Sequence, residues 1–271
     1  MLVWFALTAL SVAFVAIDIR RTPAHPVLKS SFVILALFAG PIAAFFYVLG
    51  CREPLRGTHE AYVAARWRQV LGSTMHCAAG DGLGIIAGAV IAAAWRLSPW
   101  ADLTLEYALG FGFGWAVFQA LAMRDMAGGD YLLALRKTFL PEFLSMNMLM
   151  AGMVVTMRVL MPRIDGSADP LLAGFWFVMS MALVVGFVVA YPINWWLVAK
   201  DLKHGMITVR PEGQVVQLNA MDEMAATGYG ASSHVDHTAT TRVTVAAQVG
   251  MSLATVTVLA SAVALVTWFA G

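Results

Sequence analysis

"PEFLSMNMLMAGMVVTMRVLM", residues 141 to 161, carries six methionines and one acidic group in a stretch just long enough to cross a bilayer. An apolar run of about 18 residues or more reads as a membrane-spanning helix. Six other runs meet that description: Leu2 to Asp18, Ser31 to Leu49, Met75 to Trp95, Leu103 to Met123, Leu171 to Val198 and Val243 to Ala270, with Phe143 to Met161 as the fifth of the seven. The expected fold is therefore all-α, a polytopic integral membrane helical bundle of about seven transmembrane helices.

Composition agrees. The 271 residues are 60% hydrophobic and 12% charged, with a mean hydropathy of +0.76, whereas soluble domains carry roughly 25% charged residues. A formal charge of +1 gives no basic field, so nucleic acid is excluded as a partner. Two cysteines, Cys51 and Cys77, form no CxxC pair and no disulfide framework. The first apolar run has no Lys or Arg before it and no cleavage signal after it, so it reads as a retained helix.

Lys and Arg divide unevenly between the two sides. Eleven fall on the side of the N-terminus and the second, fourth and sixth connections, and six on the other. That bias places the N-terminus in the cytoplasm, although Arg20 and Arg21 run against it. The chain divides into an N-terminal helical pair (1–61), a four-helix core (62–206), a polar, flexible linker (207–242) and a C-terminal transmembrane helix (243–271). The linker contains His234 and His237 in "HVDH", more simply solvated than metal-bound. Pro41 and Pro192 lie within apolar runs, where membrane helices tolerate them.

On a helical wheel at about 100° per residue, Glu142, Met146, Met150, Met153, Met157 and Met161 follow spacings of 4, 4, 3, 4 and 4 and share an arc of about 100°. From Glu142 to Met161 that face is about 28 Å long, close to the hydrocarbon thickness of about 30 Å. Thioether sulfur is a soft ligand suited to Cu(I). Methionine also fills irregular gaps between helices, and by itself the pattern favours packing.

Other polar groups shift that balance. "TMHCAAGDGLGIIAGAV" sets His76, Cys77 and Asp81 at the membrane boundary of the third run, with Cys77 and Asp81 one turn apart. Gly80, Gly84 and Gly88 form a small-residue ridge for a neighbouring helix. An ionisable group within a span, such as Asp81, is expensive and a functional candidate. "YPINWWLVAKDLKHGM" adds Asn194 within the sixth run and Lys203, His204 and Met206 beyond it. Runs three and five begin on the side where run six ends. His76, Cys77, Asp81, Glu142, Met146, His204 and Met206 can therefore converge near one surface.

The motifs "HCAAGDGLG", "PEFLSMNMLMAGM" and "YPINWWLVAKDLKHGM", in that order, resemble a bacterial membrane family known as domain of unknown function 4396, over about residues 66–206. The resemblance implies no defined activity. A copper-related label attached to some members points toward the same ligand set, while many relatives lack the dense methionine face.

Three readings follow. In the first, the protein binds a soft metal ion, most plausibly Cu(I), for transport or delivery, with copper-handling proteins as partners alongside the lipid bilayer. His76, Cys77 and Glu142 capture the ion, His204 and Met206 cap the site, Met146, Met150, Met153 and Met157 conduct it, and Asp81 balances charge or carries a proton. In the second, His76, Asp81, Glu142 and His204 hold zinc or iron in a membrane metalloenzyme. In the third, the chain is an assembly subunit without chemistry. No phosphate loop is present, the six histidines lie too near helix ends for a b-type haem, and Ser145 is a weak nucleophile candidate whose substitution is expected to cost little.

Overall fold

A computed structural model describes residues 1–55, 58–205, 207–209, 215–217 and 243–268. The chain forms α1 (Leu2–Asp18), α2 (Pro26–Gly50), the short α3 (His59–Val63), α4 (Arg66–Trp95), α5 (Pro99–Gly112), a π-helical segment (Phe113–Gln119), α6 (Ala120–Arg124), α7 (Tyr131–Leu160), α8 (Ala173–Ala199) and α9 (Val245–Trp268). Six of these helices are long and apolar enough to cross a membrane, and the protein is an all-α, multi-pass membrane bundle. The fourth expected span, Leu103 to Met123, is made of α5, the π segment and α6 in succession. Right-handed helical dihedrals at Phe113 and Ala120 carry the chain through both joints.

Two helices start much earlier than their apolar runs. α4 begins at Arg66 instead of Met75, because its first turns are helical but polar, and α7 at Tyr131 instead of Phe143, because Arg136 and Lys137 interrupt its apolar pattern. Asp130 caps α7 by accepting a hydrogen bond from the Leu133 N–H at 3.0 Å, satisfying one of the free donors at the helix start. Cys77 is consequently eleven residues into α4, and Glu142 eleven into α7. At 1.5 Å per residue both lie about 16 Å from the helix start, well inside the bundle.

Glycine sets how closely the core helices approach. A Cβ at Gly84 would run into the Leu109 carbonyl, and one at Gly88 would come within 2.8 Å of Glu106 Cα. The Gly80, Gly84 and Gly88 ridge thus seats α5 and the π segment directly on α4, as small residues do where hydrocarbon offers no hydrophobic drive for association. On the opposite flank of α7, a Cβ at Gly152 would lie 2.8 Å from Gly186 Cα of α8.

The outer helices join the same core. α2 bends at Gly40, whose φ of 52° few other residues adopt, just before Pro41. The bend frees the Phe38 carbonyl, which accepts a hydrogen bond from Ser180 Oγ of α8. α9 docks through a polar relay: Tyr107 OH donates to Asn147 Oδ1 at 2.7 Å, and Asn147 Nδ2 donates to Thr255 Oγ1 at 3.2 Å. The expected linker begins as a small hairpin, with Ile207–Val209 antiparallel to Val215–Gln217. His234 and His237 lie outside the described residues.

Gly84→Leu should destabilise the bundle by more than the ~1–3 kcal/mol of ordinary overpacking, because the obstacle is backbone. Gly112 has nothing within 4 Å of its would-be Cβ, and Gly112→Ala should match or exceed wild type by up to about 1 kcal/mol. Thermal survival of the monodisperse species in detergent measures both.

Candidate functional site

Cys77 and Asp81 share a face of α4 one turn apart, and Glu142 and Ser145 share a face of α7. Cys77 Sγ lies 3.3 Å from Asp81 Oδ2, 3.3 Å from Glu142 Oε2 and 3.0 Å from Ser145 Oγ. Asn194 of α8 donates to Ser145 Oγ at 2.9 Å and to the Ala190 carbonyl at 3.0 Å. Lys203, just past α8, donates from Nζ to Glu142 Oε2 at 3.3 Å. No member of this group is more than 4% exposed. Among the described residues, one ligand atom each from Cys77, Asp81 and Glu142 lie within 4.8 Å of one another.

The second carboxylate oxygens point to a shared place. Asp81 Oδ1 and Glu142 Oε1 are both buried without a hydrogen-bond partner, and a Cβ on Gly114 would overlap both. Gly114 belongs to the π segment, a rare geometry often found at functional sites. The missing side chain gives the carboxyl pair its room.

Charge counting constrains the site. Ionised Asp81, Glu142 and Lys203 leave one net negative charge, and an unbalanced buried charge is costly in a water-poor interior. The cluster must hold one further positive charge, either a proton shared by the carboxyls or a bound cation. For Lys203, burial works against the ammonium, but the neighbouring acidic groups outweigh it and hold its pKa above the ordinary lysine value.

His76 and His204 lie beside this cluster rather than in it. One residue before Cys77, His76 turns about 100° away, and its Nδ1 meets Ser31 Oγ of α2 at 2.8 Å. Its ring stands 5.2 Å from that of His204, centroid to centroid. His204 Nδ1 is 2.9 Å from the Gly205 carbonyl and Nε2 is 2.8 Å from Gln119 Oε1. Burial pushes the His204 pKa down to about 4, so the ring is neutral near pH 7 and donates from one nitrogen only. Turning the Gln119 amide over, so that its otherwise unpartnered Nε2 donates to His204 Nε2, satisfies both contacts.

The structure thus brings Cys77, Asp81 and Glu142 together and sets His76 and His204 next door. Met206 lies outside the described residues. Met146, Met150 and Met153 are fully buried and Met157 is 9% exposed, one continuous interior face as the wheel requires. Met146 Cε presses on Gly110 of α5, and Met153 Cγ on Gly186 of α8. Sequence reasoning missed Lys203, which looked like an ordinary polar flank, and undervalued Ser145. The available signals were Ser145 three residues from Glu142 and Asn194 inside an apolar run.

A family model described as "Domain of unknown function (DUF4396)" matches residues 66–203. The chain belongs to that family, and the match covers the span that holds every member of the cluster. No curated protein and no solved structure matches the chain.

Lys203→Met alone strands a buried carboxylate and should cost about 3–5 kcal/mol, whereas Glu142→Gln leaves Asp81 to ionise opposite Lys203 and should cost less. The double variant removes both charges and should be less destabilised than the sum of the two. A double-mutant cycle on detergent unfolding would read the difference.

Proposed function

We propose that this protein binds a soft metal ion, Cu(I), at Cys77, Asp81 and Glu142 and passes it along the methionine face of α7. The observation that carries the reading is the convergence of a thiol and two carboxylates in one buried cluster, with Met146 one helical turn beyond Glu142 and equally buried. A thiolate supplies the soft donor Cu(I) prefers, the thioethers continue that donor type without needing deprotonation, and the carboxyls adjust charge. His76 and His204 stand beside this cluster, their rings 5.2 Å apart. In this reading the membrane is the bacterial inner membrane, the N-terminus is cytoplasmic, and a copper-handling protein delivers or receives the ion.

Charge balance fixes the proton stoichiometry. With a neutral thiol, one protonated carboxyl, one carboxylate and the Lys203 ammonium, the metal-free cluster is neutral. Binding one Cu(I) stays neutral if the Cys77 S–H bond is exchanged for an S–Cu bond and one proton leaves. Zn(II) requires two protons to leave, the second from the carboxyl pair. The purified protein in weak buffer with a pH indicator should therefore release one proton per Cu(I) bound at this cluster, and Cys77→Ser should abolish tight binding there. Stoichiometric Zn(II) with two protons released, and no retained Cu(I), would replace this reading with the zinc metalloenzyme.

The methionines are separable from the cluster. Changing Met146, Met150 and Met153 together to leucine should cost less than ~1.5 kcal/mol each in stability and leave Cu(I) binding at Cys77 in place. Copper movement into proteoliposomes should fall sharply. Unchanged movement would reduce the methionine face to packing.

A further inference from the structure

The far end of the methionine face opens on a second group of metal-ligating side chains. Between the start of α5 and the ends of α7 and α9 lies a cavity of about 280 Å³, lined by Asp102, Glu106, Met157, Arg158, Met161 and Thr267 among apolar neighbours. Glu106 is only 4% exposed, and among the described residues no side-chain hydrogen bond or ion pair holds its carboxylate. Asp102, one helical turn earlier, has a buried Oδ1 likewise without a partner. Within an apolar wall an unsatisfied buried carboxylate is expensive, and a cavity beside it gives a cation somewhere to sit.

Its composition repeats that of the Cys77 cluster. Two carboxyl groups again occur together, here Asp102 and Glu106 one helical turn apart, with Arg158 on the same lining. A thioether again stands within reach, Met157 and Met161 where the first cluster has Met146. Met157 and Met161 continue the face that starts at Glu142, so the two groups lie at opposite ends of that face, about 28 Å apart at 1.5 Å per residue between Glu142 and Met161.

We infer that Asp102 and Glu106, with the thioethers of Met157 and Met161, form a second binding site for a soft metal cation at the opposite end of the path. The metal's identity rests on the proposed function, while the site itself rests on the cavity and its unpartnered carboxylates. α9 closes one wall through Val263, Val266 and Thr267, so the docking made by Asn147 and Thr255 also completes this site.

Ag(I), a redox-inert soft monovalent cation, tests the inference on the full chain in nanodiscs, with bound metal counted by elemental mass spectrometry after washing. Wild type should retain two ions per chain. Glu106→Gln, which keeps shape and removes charge, should retain one and bind its second at least about tenfold more weakly, the loss even outer-sphere changes cause at metal sites. Met157→Leu with Met161→Leu should act in the same direction, so a folding defect in one variant does not decide the matter. Cys77→Ser should also retain one, at the far site. A single ion in wild type, lost in Cys77→Ser and unchanged in Glu106→Gln, overturns the second site and leaves the proposed function standing. A single ion lost in Glu106→Gln and kept in Cys77→Ser does the reverse. No retained Ag(I) overturns both.

Discussion

The Glu142–Lys203 ion pair is the interaction on which the rest depends. Both groups are withdrawn from solvent inside a membrane domain, where an isolated ion costs several kcal/mol even after relaxation. Each is tolerable only because the other is 3.3 Å away. Since Glu142 sits mid-way along α7 and Lys203 just past α8, their meeting fixes how far α8 may slide along α7. Cys77 and Asp81 add the same demand on α4. Three helices are held in one register by the need to keep a buried charge balance.

That register is achievable because the backbones come very close. Gly84 and Gly88 let α5 lie on α4, and Gly152 meets Gly186 between α7 and α8. Such contacts leave channels of uneven width between helices, and methionine is the side chain that fills them: unbranched, with three rotatable bonds and a polarizable sulfur. Met146 reaching Gly110 and Met153 reaching Gly186 are cases of a long thioether answering a missing side chain. This accounts for methionine instead of leucine on packing grounds alone, and the same flexibility is what a passing soft cation would require. The π segment belongs to this economy of space, since Gly114 stands where a side chain would collide with both carboxyls.

Much of the architecture was legible in sequence because it follows from hydropathy and helical period. The apolar runs gave the spans, the spacing from Glu142 to Met161 gave one buried face, and the glycines at every fourth position of α4 gave a packing ridge. Helix starts were misjudged where polar turns such as "RWRQV" precede the apolar run, so the cluster stands further from the helix starts than hydropathy suggested. Convergence of Cys77, Asp81 and Glu142 followed from which helices begin on one side. The separation of His76 from Cys77 is a matter of 100° on a wheel, and adjacency in the chain concealed it. Lys203 could not be singled out, because a lysine beyond an apolar run normally snorkels to water, and only the tertiary fold turns this one inward. The π segment left no mark, since nothing in "FGWAVFQ" distinguishes it from an ordinary helical stretch.

A soft cation crossing such a bundle faces an asymmetry between its ligands. Thioethers bind it but carry no charge, so an ion held midway among Met150 and Met153 would be an unneutralised charge in a low-dielectric interior, a state that costs far more than several weak donors return. Charged groups flank the methionine face, with Asp81, Glu142 and Lys203 at one end of it and Asp102, Glu106 and Arg158 at the other. A path of this form favours residence at its ends and brief passage between them, and because the methionine face is closed by contacts with Gly110 and Gly186, passage would need α5 or α8 to move aside. Brief occupancy of the middle and tight packing there are compatible for the same reason: a station that never holds the ion for long has no need of a standing cavity.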